Sequence, residues 1–239
     1  MSGDELFSRE ELMGVFTSRT KEVGDALREG NKAHKRLENW QEMQLAHFMG
    51  ILAISIRDLH RASDENMVST LAWIVRNLLE LSIWIEFCVR SDGNTKRFED
   101  DGIRDLYGWT KAVIEMEKAG SAAEHKKLAD KMKELEELAK QRGLPVLDDG
   151  YKKVRDAAKD LGREEEFGPL YKLCSKFAHP TAWVVRTASS VEADADIREM
   201  FFRDGIELAF ASLSQIRHRV LLSFPEFGPQ TKKKEKEEE

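Results

Sequence analysis

Apolar positions along this chain recur at intervals of three and four residues, the repeat of an α-helix that buries one face. A first helix is expected up to about Gly30. Ser8 and Glu11 open it at the spacing that lets each side chain satisfy an orphan amide at the helix start, and Gly30-Asn31 reads as its stop. Leu37, Trp40, Phe48, Ile51, Leu52, Ile56 and Leu59 place a second helix over about 33–61. Ser63-Asp64 then caps a third, about 65–90, that is apolar on nearly every side. A helix without a polar face normally sits at the centre of a bundle.

Ser91-Asp92-Gly93-Asn94 is a turn signal, followed by a helix to about Lys118 that Gly102 and Gly108 weaken. Ser121 with Glu124 repeats the capping spacing before a strongly charged helix that ends near Arg142-Gly143. Its apolar residues Leu128, Met132, Leu135, Leu138 and Ala139 form a narrow stripe like a two-helix seam. That stripe predicts a charged hairpin with the preceding helix, or a cover on one flank of the core. A short helix is expected over about 151–161, another from Arg163 to a stop at Pro180, and a long last one over about 194–222. The residue before a proline is pushed out of the α region, which is why Pro180 ends its helix. Trp183-Val184-Val185 is the one strand candidate.

The reading is an all-α, single-domain helical bundle of about seven helices. Residues 1–30 form an N-terminal helix, 31–224 the bundle, and 225–239 a disordered tail. The last eight residues, Lys232 to Glu239, are all lysine or glutamate and cannot build a core.

Composition agrees with this picture and narrows the chemistry. Five prolines and fifteen glycines in 239 residues are few for a β-rich protein, and 34% of the residues are charged. A net charge of -6 lacks the broad basic field of a duplex-coating protein, yet leaves room for a local RNA or nucleotide site. Cys88 and Cys174 lie in apolar helical contexts, where inert thiols are usual. The acidic N-terminus has no apolar core of the signal-peptide kind. The longest uncharged apolar run, 45–56, is too short to span a bilayer. These features lead us to expect a cytoplasmic protein with no membrane partner. No metal-ligand, nucleotide-loop or nucleophile-elbow motif is present, and no cofactor is expected.

Two constellations stand out. Arg76 and Glu80, four apart within the greasiest helix, share a face with Asn77 between them, and charges in such surroundings need partners. Later in the chain Tyr171, Ser175 and His179 fall on one helical face beside Lys172. His179 is placed at a helix C-terminus, which favours a protonated imidazole and suits a general acid. The plain alternatives are an internal ion pair and a helix cap.

Arg-Asn-Leu-Leu-Glu in a central helix, followed by Tyr-x-x-x-Ser-x-x-x-His-Pro, resembles a helical-bundle family of unknown function within the HEPN-like group (higher eukaryotes and prokaryotes nucleotide-binding domains). The resemblance covers about 33–222. It implies a helical bundle, a homodimer and, in many members, metal-independent RNA cleavage by an arginine and a histidine four to six residues apart in between. The arginine would stabilise phosphorane charge and the histidine would move protons. This chain departs from that motif, because Lys172, Leu173 and Cys174 precede His179 where an arginine belongs. Arg76 could supply the charge from another helix. The resemblance thus implies His179 and Arg76 as catalytic candidates, with Asn77, Glu80, Tyr171, Lys172 and Ser175 as binding or orienting groups. The one formal match, Arg28 to His34, spans the expected break at Gly30. The leading functional reading is an HEPN-like module that acts through binding or oligomerisation without an assigned reaction. The metal-independent ribonuclease or nucleotide-binding protein is the alternative, and a third is a scaffold that offers the 128–139 stripe to a partner helix.

Overall fold

The computed structural model describes residues 8–116, 122–144, 147, 152–179, 186 and 194–228. Eight α-helices account for most of them: α1 (Arg9–His34), α2 (Asn39–Asp64), α3 (Val68–Arg90), α4 (Asp92–Met116), α5 (Ala122–Arg142), α6 (Val154–Asp160), α7 (Glu164–Ala178) and α8 (Ala195–Ser223). A 3-10 turn, Pro225–Phe227, follows α8. No strand occurs among the described residues, and the fold is all-α. The strand candidate, Pro180, Ser121 and residues 229–239 of the expected tail lie outside the described residues, while the tail's first residues form the 3-10 turn.

Several helix ends differ from expectation, each for a tertiary or local reason. The helix α1 starts as its capping box requires: the Glu11 amide donates to Ser8 Oγ at 3.1 Å and the Ser8 amide to Glu11 Oε2 at 2.6 Å. It does not stop at Gly30-Asn31. Gly30 is there because the Phe224 ring lies against it, so close that a Cβ would sit 2.5 Å from the ring. Asn31 accepts from the Leu37 amide and donates to Glu42, which fixes the turn beyond the helix. The true stop is Lys35, in the left-handed region at φ 48°. Likewise Ser63 and Asp64 close α2 and do not open α3; the turn is made by Asn66 at φ 58°. At Ser91 the turn signal is an N-cap. Its Oγ accepts from the Asn94 amide, while the Asn94 and Thr95 side chains donate to the carbonyls of Phe87 and Cys88, satisfying the exposed end of α3.

The chain forms two compact units. The larger comprises residues up to Glu86 together with those from Arg163 onward. In it α1, α2 and α8 pack on one another, and Phe48, Leu52, Ile56 and Leu59 of α2 are buried with Phe201, Ala209, Leu213 and Ile216 of α8. The helix α3 buries Val68, Leu71, Val75, Leu78 and Ile83 in the same core. Gly205 lets α8 close on Leu59 and Val75, whose side-chain carbons would stand 2.7 and 3.3 Å from a Cβ there. By length and composition α3 could cross a membrane, and 61% of its most apolar window is buried inside the protein. Trp73 of α3 is 55% exposed.

The smaller unit runs from Phe87 to Gly162. Here the charged helix α5 pairs with α4: Leu135 and Ala139 are buried with Ile103, and Tyr107, Leu144 and Leu147 pack around them. The stripe thus pairs with the preceding helix, as the hairpin reading expected, and α4 covers Leu135 and Ala139 while Leu138 stays exposed, which leaves little of the stripe for a partner helix. Trp109 of α4 is exposed.

Candidate functional site

The polar residues of α3 and α7 meet within the larger unit. Arg76 is the hub. Its Nε donates to Glu80 Oε1 at 3.2 Å, across the one turn that separates them. One terminal nitrogen, Nη2, donates to the Tyr171 hydroxyl, and the other, Nη1, lies 2.8 Å from His179 Nε2. The guanidinium also stands over the Tyr171 ring, 4.5 Å from its centroid. Behind that ring Phe167 stacks at 5.1 Å, one turn earlier on α7. The Phe167–Tyr171 spacing of four was legible in the sequence, and Phe167 is the member that sequence reasoning missed.

This arrangement constrains protons. Arginine carries five N–H donors and no acceptor, so in this contact His179 Nε2 must accept and the ring proton must lie on Nδ1. His179 is the C-cap of α7, already extended at φ -118° and ψ 149°, and it is exposed. Three of the arginine's five N–H bonds are engaged, and two have no partner among the described residues. The Arg76 side chain is 20% exposed and that of Glu80 31%, so the pair is half-buried and open to solvent on one side.

Other sequence candidates lie apart from this hub. Ser175 Oγ donates back to the Tyr171 carbonyl at 2.7 Å, so its hydroxyl is engaged by its own helix. Asn77 is half-buried and Lys172 exposed, and neither makes a hydrogen bond or ion pair among the described residues. Arg28 and His34 do share one continuous helix, against the expected break. Six residues apart they point to different sides: Arg28 pairs with Asp25, and His34 with Glu226 at 2.8 Å. Cys174, between the hub and α8, is a buried free thiol. Burial chiefly, with the Asp204 carboxylate adding to it, pushes its pKa up to about 12, against a smaller pull from its backbone hydrogen bond and from Arg76. Among the described residues no three His, Cys, Asp or Glu side chains gather as a metal site would require.

The molecule is thus an all-α protein with an arginine-centred polar site where two of its helices meet. It belongs to the family of unknown function DUF5677, whose model matches residues 52–194, a span that holds every member of the hub. No curated protein and no solved structure matches the chain.

Proposed function

We propose that the α3–α7 hub is a phosphodiester site on an HEPN-like helical module, acting on single-stranded RNA without a metal. The observation that carries this reading is the Arg76–His179 contact. A cation with two donors unengaged among the described residues lies 2.8 Å from the nitrogen of an exposed imidazole, although they are 103 residues apart in sequence. The two free N–H groups of Arg76 would take the non-bridging oxygens of a phosphate, which the planar fork suits better than an ammonium does. Glu80 and Tyr171 hold that fork in place before any ligand arrives, so little order is lost on binding.

When a phosphate claims the arginine, the lone pair on His179 Nε2 is released to serve as a base. It takes the proton of a ribose 2′-hydroxyl, and the 2′-oxygen forms a bond to phosphorus. The bond from phosphorus to the 5′-oxygen breaks, and that oxygen is protonated by the imidazolium. The products are a 2′,3′-cyclic phosphate and a 5′-hydroxyl, and the histidine returns to its neutral state. The reading also includes a homodimer in the cytoplasm. Met43, Ile51 and Ile54 form an exposed apolar stripe along α2 that a second copy would cover.

The test is incubation of single-stranded RNA with the protein in excess chelator. Cleavage should leave cyclic phosphate ends, spare DNA of the same sequence, and be lost in His179→Ala and Arg76→Met. Binding should fall gently with salt, with a slope of about -0.7 per phosphate neutralised. RNA that is neither bound nor cut by the folded wild type overturns the reading.

A further inference from the structure

A second surface of α7 faces away from the hub's chemistry. The helices α7 and α8 leave between them a groove of about 660 Å³. Leu170 and Leu173 from α7 and Leu208 and Ala211 from α8 give it an apolar floor. Each pair follows the three-residue helical step, about 4.5 Å or one turn, and the full lining, residues 204–211 on α8, runs for about two turns, on the order of 10 Å. Leu173 is 38% exposed, large for a leucine that no segment of the described chain covers.

The rim is predominantly acidic. Glu165 of α7 and Asp204 and Glu207 of α8 line it. The cation at its end, Arg163, is already engaged: it donates to both Glu166 oxygens at 2.9 and 2.7 Å and to Glu86 at 2.9 Å. Asp204 has only Arg203 nearby, at 3.8 Å. Glu165 and Glu207 make no ion pair among the described residues. Burial, with Glu207's negative charge adding to it, raises the Asp204 carboxyl above its ordinary range, and Arg203 only partly opposes this. Glu165 and Glu207 thus flank the apolar floor without an ion pair among the described residues, and Asp204 is only weakly compensated by Arg203.

We infer that this groove is a docking site for a cationic amphipathic helix of a partner protein, with leucine-like side chains on Leu170, Leu173 and Leu208 and flanking Lys or Arg on the acidic rim. Helix-in-groove recognition needs two things that are both present: an apolar floor in a groove about two turns long, and edges whose charge selects the partner. The charge sign excludes nucleic acid as the occupant and favours a basic segment. The site is independent of the RNA reading, since none of its residues touches Arg76 or His179.

The experiment uses the full chain and two fluorescein-labelled peptides of about four turns and identical Lys, Leu and Ala content. One places its leucines on a single helical face; the other permutes them so that no face forms. The amphipathic peptide should bind at least about tenfold more tightly than the permuted one. Leu173→Glu on the floor and Glu207→Lys on the rim should each weaken it about tenfold, both at exposed positions where the melt should stay close to wild type. Equal binding of the two peptides would show only the attraction of an acidic surface, and the proposal falls. It falls too if both variants keep wild-type affinity. Self-association of the protein abolished by Leu173→Glu would make a second copy the occupant and likewise refute it.

Discussion

Neutralising Glu80 separates a working arginine from a structural one, because the two readings disagree in sign. In Glu80→Gln the side chain keeps an oxygen for Arg76 Nε, at a contact of 3.2 Å, and loses only its charge. Arg76 and Glu80 are 20% and 31% exposed, between an exposed pair, worth about 0.2–1 kcal/mol, and a buried one whose breakage costs about 3–5 kcal/mol. Glu80→Ala should therefore cost about 1–2 kcal/mol, a fall in Tm of about 3–6 °C, and Glu80→Gln well under half of that. Anion affinity should move the other way. A carboxylate about 6 Å from a bound phosphate opposes it by about 3 kcal/mol at an effective dielectric constant near 20; salt and solvent reduce this to about 1 kcal/mol. Removing that opposition should tighten RNA binding about fivefold in low salt, with the gain fading as salt rises. Thermal melts and anisotropy with labelled RNA measure the two effects on the same preparations. A Glu80→Gln protein that is folded but binds RNA no better than wild type would refute Arg76 as the anion-binding group and leave the ion pair as architecture.

Other outcomes follow from the packing. Gly24→Ala and Gly30→Ala, on the same helix, should shift denaturation midpoints in opposite directions. The first meets only Met49 at 3.9 Å and should gain up to about 1 kcal/mol of helix propensity; the second drives a methyl into the Phe224 ring and should lose about 1–3 kcal/mol. Leu135→Ala should destabilise the α4–α5 pair by about 2–5 kcal/mol and speed amide exchange there, whereas unchanged exchange would mean that this small core does not hold the smaller unit. Burial raises both thiols above their ordinary value of 9.0, so the unfolded chain ionises them first. Their stabilisation is intact below pH 9 and declines as pH rises toward 12, by about 1 kcal/mol per unit for Cys174; urea midpoints of wild type and Cys174→Ala should converge over that window.

What could be read from the sequence was whatever depends on neighbours along the chain. Helical repeats, the Ser8–Glu11 box, the Arg76–Glu80 pair and the Tyr171–Ser175–His179 face are all set by spacings of three, four or eight. What escaped depends on which helices lie side by side. Gly30 resembled a stop because nothing in the sequence announces that Phe224, far along the chain, will lie on it. Ser63-Asp64 looked like the start of a helix because an N-cap and a last turn use the same residue types, and only the left-handed Asn66 decides between them. Trp73 follows the apolar rhythm of α3 and is nonetheless exposed, which reflects the side of α3 the bundle left uncovered. The α7–α8 groove had no sequence signature, since its two walls are ordinary amphipathic helices.

The hub joins side chains 95 and 103 residues apart, and no single stretch of chain contains it. Acid or mild denaturant could therefore leave every helix wound while the helices slide loose, and circular dichroism near 222 nm (about that wavelength) would look native. In such a state Arg76 would still face Glu80 but would have lost its tyrosine and its imidazole. Ligand binding at the hub, or the near-ultraviolet signal of the tyrosine that Arg76 covers, would thus report the intact protein more faithfully than helix content does.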